Sequence, residues 1–242
     1  DFNASGVSYA GFRVGAQWTI NSQFSVGAVY RHKIEPKLTA DSGVAYADVV
    51  DLETRFVLPS KLGLGGRADF GAWGFALDVE YGLYSQNERT RLQGCNPKQA
   101  PQPGKPSCSV NGQARKLEYA DNVFDWKDAP TVRLGAEYKL TDAWPLRIGY
   151  VFDGQASNQQ YPSAFGTPPA ASHSGTLGAG YRGERFQVNL AGALRLASTE
   201  VTPSDVEGKD CATCSKAGKD YSLWLAGAYV DFSYDFDVGP LF

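Results

Sequence analysis

The sequence has no methionine, only two histidines, and no surplus of charge of either sign: 23 Lys and Arg stand against 26 Asp and Glu in 242 residues. A net charge of −3 supplies no electrostatic reason for a nucleic-acid partner. It also lacks the roughly 18 consecutive apolar residues that a membrane helix needs, the nearest approach being the stretch from Leu223 to Val230. That excludes a helical span but not a barrel, whose strands show only alternation. The opening Asp-Phe-Asn-Ala-Ser-Gly lacks the basic region and apolar core of a signal peptide and an initiator methionine, so the expectation is that processing or truncation has removed the true start. What is plentiful is glycine, at 27 positions, and aromatics, at 13%. That profile suits pleated surfaces and close packing better than helices.

The organising pattern has period two. From Ala72 to Leu83, Trp73, Phe75, Leu77, Val79, Tyr81 and Leu83 fall on one face, and Gly74, Ala76, Asp78, Glu80 and Gly82 on the other. This alternation outlasts an ordinary strand of about five or six residues and matches the roughly 9–11 that cross a bilayer obliquely. The same reading places strands around Ala10 to Ile20, Phe24 to Arg31, Thr131 to Tyr138, Leu146 to Phe152, Leu177 to Tyr181, Phe186 to Leu196 and Tyr221 to Val238. A ninth segment, Val50 to Phe70, keeps its phase across Pro59 and is read as one bent strand, with a bulge accommodating the proline.

Connections alternate in length. Asn21-Ser22, the tip near Asp69 to Ala72, Lys139 to Ala143 and Arg182 to Arg185 are short; 34–48, 87–125, 154–172 and 198–220 are long and polar. Short turns at one end and long external loops at the other are the asymmetry of outer-membrane barrels. A soluble sandwich also alternates, but needs neither such long segments nor aromatics near their ends. The whole chain, 1–242, is therefore read as an all-β transmembrane antiparallel barrel domain, with tryptophans 73, 126, 144 and 224 near its rims. Bacterial single-chain barrels have even strand numbers, so nine strands carry the expectation that others precede Asp1.

Several stretches in order resemble the FadL family of outer-membrane transporters for long-chain fatty acids and aromatic hydrocarbons. They are Asn-Ala-Ser-Gly at 3–6, the strand from Ser25 to Arg31, Leu58-Pro59 followed by Gly63 to Arg67, and Trp126-Lys127-Asp128 before the strand from Arg133 to Tyr138. Leu146 to Asp153 and Ser174 to Tyr181 continue the likeness, except that Gly154-Gln155 stands where the family has a proline. The resemblance implies a fourteen-stranded barrel plugged by an N-terminal hatch, with this chain as the last nine strands. It implies location in the bacterial outer membrane among its lipids, a hydrophobic small-molecule ligand, no cofactor and no catalysis. The hatch and the earlier strands have no counterpart here and are expected as further parts of the same protein. A polar-solute porin and a structural or adhesive barrel are the alternatives.

Four cysteines lie in two of the long loops, where an oxidising exterior favours disulfides; the preferred pairings are Cys95 with Cys108 and Cys211 with Cys214, each closing a local ring. A four-thiolate zinc site is the sharper alternative, but only one pair has the close spacing such sites favour. Ser172-His173-Ser174 lacks an orienting acid at a determinable position, which leaves a catalytic triad without support. In the lumen phase, Arg13, Arg55, Arg133, Arg147 and Arg195 are the candidates to hold a substrate carboxylate, since guanidinium matches its shape and is always charged.

Overall fold

A computed structural model describes residues 5, 6, 8, 11–42, 49–161, 169–206 and 219–236. Fourteen strands run through them in order: β1 (Arg13–Thr19), β2 (Phe24–Arg31), β3 (Lys37–Ser42), β4 (Val50–Arg55), β5 (Lys61–Phe70), β6 (Trp73–Gly82), β7 (Arg89–Asn96), β8 (Ser107–Val110), β9 (Gln113–Val123), β10 (Ala129–Lys139), β11 (Pro145–Asp153), β12 (Ser172–Arg182), β13 (Phe186–Val201) and β14 (Lys219–Tyr234). They form two antiparallel sheets. One is a nine-stranded wall in the order β1-β2-β5-β6-β10-β11-β12-β13-β14; the other has five strands in the order β3-β4-β7-β9-β8.

The wall is a plain meander once the second sheet is set aside, and local chemistry fixes its short turns. Asn21 Oδ1 accepts from the backbone N–H of Gln23 at 2.8 Å and of Phe24 at 2.9 Å, closing the β1–β2 turn. Gly71, at φ +58, makes the β5–β6 turn, where a side chain would be strained. Thr141 Oγ1 accepts from the N–H groups of Ala143 and Trp144, each at 3.2 Å, between β10 and β11. All the long connections therefore leave from the opposite end of the wall, and two of them fold into the five-stranded sheet.

The nine alternating segments correspond to the nine wall strands, and the total of fourteen arises from the strands inside the long loops. One boundary differs. Val50 to Phe70 is not a single bent strand: β4 pairs with β3 and β7 in the second sheet, while β5 pairs with β2 and β6 in the wall. Between them Ser60, 2% exposed, donates its N–H to Gln86 Oε1 and accepts from the N–H of Lys33, so polar side chains occupy the corner that the shared phase appeared to bridge.

The two wall faces differ sharply. On one lie Leu64, Phe75, Leu77, Leu134, Ile148, Leu177 and Leu190, large apolar side chains that are all exposed. In water, such a surface would far exceed the apolar patches that soluble monomers tolerate. Against lipid it is the favoured arrangement, with polar side chains turned inward. Aromatics gather towards its margins. Near the short turns Trp73 stacks with Phe75 and packs at a tilt against Tyr138, and Trp144 packs against Tyr181; towards the loops stand Phe12, Tyr30, Tyr81 and Trp224. Amphipathic rings favour the interfaces, which makes these positions the two edges of the bilayer. Trp126 departs from its expected place: it packs among loop aromatics, against Tyr84 and Phe124, with its indole nitrogen buried.

Candidate functional site in the inner wall

Register aligns small residues across the middle of the inner face. Ala76 pairs with Gly135, Gly135 with Gly149, Gly149 with Thr176, and Thr176 with Ala193. Since these residues stop at or near Cβ, they floor a recess of about 330 Å³ whose rim carries Arg67, Asp78, Arg133, Glu137 and Arg147. A second recess of about 610 Å³ shares Arg67, Asp78 and Arg133 and extends over Gly27, Gly63 and Gly65 to Arg13. Gly65 leaves room there for the Asp78 side chain, which lies down across β5: a Cβ would sit 2.2 Å from Asp78 Oδ1 and push that carboxylate aside. Volumes of a few hundred Å³ suit small molecules.

The rim on the short-turn side is a continuous polar ladder. Arg67 pairs with Asp69 at 2.7 Å and with Glu137 at 3.6 Å; Glu137 accepts from Arg147 Nε at 2.7 Å. Arg147 Nη1 donates to Asn189 Oδ1 at 2.8 Å, and Asn189 Nδ2 donates to Asp231 Oδ1 at 3.1 Å. These contacts cross the wall from β5 to β14, and glycines on the strands between leave the passage open. A Cβ at Gly74 would come 2.9 Å from Arg67 Nη2, and one at Gly180 would come 2.7 Å from Asn189 Oδ1. On the loop side, Arg195 Nε donates to Ser172 Oγ at 2.9 Å and approaches Asp153 at 3.4 Å, while Thr131 Oγ1 donates to Asp153 at 2.8 Å.

The candidate arginines thus separate into three groups. Arg147 and Arg195 are held in networks and stiffen the wall. Arg133 reaches Glu80 only at 3.8 Å, and Arg13 makes no ion pair among the described residues; both stand over the glycine floor with donors to offer. Arg55 is not on the wall at all. It belongs to β4 in the second sheet, where its Nε bonds Glu53 at 3.0 Å, because the strand that was to carry it inward breaks before Lys61. Arg67 was not among the candidates, although its inward phase was legible; its partners lie on other strands, and only register reveals them.

In the second sheet a disulfide joins Cys95 of β7 to Cys108 of β8, with Cα atoms 5.8 Å apart. Cys211 and Cys214 lie outside the described residues. Among the described residues no group of three or more His, Cys, Asp or Glu side chains could hold a metal ion. His173 accepts or donates a hydrogen bond with the Tyr150 hydroxyl at 2.6 Å on the apolar face, away from the inner recess.

A wall of long antiparallel strands, apolar outside, polar and notched inside, with its long insertions at one end, defines the class of outer-membrane β-barrel proteins. The chain belongs to the family described as outer membrane protein transport protein (OMPP1/FadL/TodX), whose model matches residues 3–234, and it lies in the outer membrane. Among solved structures it is similar to a Pseudomonas aeruginosa FadL homologue (18% identity, TM-score 0.67, covering 93% of this chain and 52% of that one). It is also similar to the Ralstonia pickettii toluene transporter TbuX (15%, TM-score 0.57, 93% and 48%) and the Pseudomonas putida toluene transporter TodX (17%, TM-score 0.54, 93% and 49%). The chain spans about half the length of these solved relatives. No curated protein matches it significantly.

Proposed function

We propose that this chain supplies the wall of a passive channel that takes up hydrophobic small molecules across the outer membrane, molecules bearing a carboxylate such as long-chain fatty acids being the leading class. The observation that carries this reading is the inner recess: a floor of glycine and alanine admits an apolar body, and Arg133 and Arg13 stand above it with guanidinium donors not already held by a close carboxylate. A guanidinium held in this way recognises a carboxylate bidentately and stays charged at every physiological pH. The rest of the inner wall needs no chemistry for such a task. It needs a smooth polar lining, which the ion-pair ladder provides. Toluene, which two of the similar structures are named as transporting, has no group for the arginines, so it tests the headgroup half of the proposal.

Uptake by cells producing the protein with Arg133→Ala, compared with the unaltered protein, tests the reading. A charge-assisted hydrogen bond contributes on the order of 1.5–3 kcal/mol, so half-saturation for a long-chain fatty acid should rise by roughly tenfold or more while toluene uptake stays constant. Deletion of the whole gene should lower uptake of the fatty acid and leave the permeation of small sugars alone. The reverse pattern, sugar permeation falling and hydrophobe uptake unchanged, would establish a polar-solute porin instead.

A further inference from the structure

The apolar outer face of the wall has a depression that the inner recess and the transport path do not use. Its volume is about 820 Å³, and its lining is almost wholly apolar, from Phe24 and Val26 on one side to Ile148 and Tyr150 on the other. Small residues create it. On the outward phase of β5, Leu64 is followed by Gly66 and Ala68 before Phe70 restores a large side chain, and Ala136 lowers the surface again on β10. The β2 partners of Gly66 and Ala68 are Val26 and Phe24, and their β6 partners are Leu77 and Phe75. The result is a depression that crosses the strands, from β2 over β5, β6 and β10 to β11, four strand spacings or roughly 19 Å at about 4.8 Å each.

Nothing in the sheet demands the glycine. A Cβ at position 66 would meet only Ser25 O at 3.7 Å and Val26 Cγ1 at 4.0 Å, both ordinary contacts, and its φ is not in the left-handed region. The missing side chain therefore leaves room on the outer face and relieves no strain. The trough lies on central strands, away from either edge of the wall, and it begins one step from the Trp73–Tyr138 margin at the short turns. At that depth, between the aromatic margins, the surrounding medium is hydrocarbon.

We infer that this trough is a binding site for one acyl chain of a membrane lipid in the leaflet on the short-turn side. Its extent of roughly 19 Å and its apolar lining fit an extended hydrocarbon chain lying across the strands from β2 to β11. A second copy of the wall fits less well. Filling a recess needs an opposing ridge, and outward side chains that stand well clear of the sheet, such as Trp18, Trp224 and Val230, lie towards the margins or on the outermost strand β14 instead. Filling the recess restores dispersion contacts that a shallow wall would otherwise share with loosely ordered lipid.

The protein extracted from outer membranes in mild detergent, with its retained phospholipid counted by native mass spectrometry, provides the test. Gly66→Leu with Ala68→Leu fills the trough. Gly192→Leu is the control, at an outward glycine whose added Cβ would have nothing within 4 Å. The unaltered protein and G192L should retain one phospholipid more than the filled variant. A second measurement uses the unaltered protein alone: phospholipid carrying a diazirine on its acyl chain, photolysed in vesicles, should label the lining segments 24–26, 66–77 and 134–150 several-fold above β12, β13 and β14. Equal lipid retention in all three proteins, or labelling spread evenly over the wall, overturns the inference. So does a dimer, seen by cross-linking in the unaltered protein, that the filled variant loses.

Discussion

Single positions carry the inner ladder, and glycine is the most exacting of them. Gly180 leaves the space through which Arg147 reaches Asn189: an added Cβ would stand 3.3 Å from Arg147 Nη1, 3.1 Å from Pro145 Cγ and 2.7 Å from Asn189 Oδ1. Gly180→Ala should therefore break the Arg147–Asn189 bond and cost about 0.5–1.5 kcal/mol, the net worth of one hydrogen bond, since Arg147 keeps Glu137 and Asn189 keeps Asp231. Thermal unfolding in detergent micelles should fall by several degrees, whereas Gly175→Ala, with open space at its Cβ, should leave it unchanged. The same view explains Gly154, where the resembled family has proline. Gly154 donates its N–H to Pro130 O at 2.7 Å, and a Cβ there would lie 2.8 Å from Pro130 Cδ, so proline would lose the bond and clash with another proline. Of the site, sequence alone displays the inward phase of Arg133 and Arg147, because alternation reports phase. It cannot display that Arg147 is held by two hydrogen bonds and Arg133 only by a 3.8 Å approach to Glu80, because that depends on which residue each neighbouring strand sets opposite.

Among the elements, the five-stranded sheet is the one that alternation does not announce. Its strands are short, and β7, Arg-Thr-Arg-Leu-Gln-Gly-Cys-Asn, reads as a polar loop because only Leu92 and its neighbours pack on the small core of Ala40, Val49 and Leu52. The opposite face is held by charge. Asp121 accepts from Arg91 at 2.6 and 2.7 Å, and its carboxyl is held below the ordinary carboxylate range, first by that hydrogen bond, then, after an opposing contribution from burial, by the charges of Arg91 and Arg89. Glu53 is lowered likewise, chiefly by its bond to Lys37. A carboxyl whose folded pKa is depressed stabilises fully above its unfolded pKa, about 3.9 for aspartate, and the contribution disappears as pH falls through the folded value. Cleavage within β7–β9 by an acid-active protease should accordingly rise as pH falls below about 4 while the wall stays resistant. Asp121→Asn should be cleaved more readily at pH 7 and show a smaller acid step. The Cys95–Cys108 disulfide closes a ring with a sequence separation of 13 residues, for which loop-closure entropy gives about 3 kcal/mol. Reduction should speed cleavage at β8 without altering the wall; unchanged cleavage would show that the β8–β9 pairing suffices alone.

At the scale of the whole molecule, the wall poses a question of edges. In sheet order β1 and β14 are the outermost strands, and they do not pair with each other among the described residues. Every unpaired backbone N–H or C=O within hydrocarbon costs several kcal/mol, which is why only closed barrels span membranes with strands. An edge the length of β14, 16 residues, cannot remain open there. Both edges must therefore find pairing partners in the membrane. Hydrogen exchange on the protein in native outer membranes distinguishes closure from an open sheet. If the barrel closes, the amides of β14 and β1 should be protected on the same scale as those of the central strand β10, which is paired on both sides with β6 and β11. Exchange within seconds along alternate residues of β14, with β10 protected for hours, would mean that the edge is open and that the wall does not enclose a lumen. Transport through an enclosed path would then be untenable, and the polar face would need some other cover.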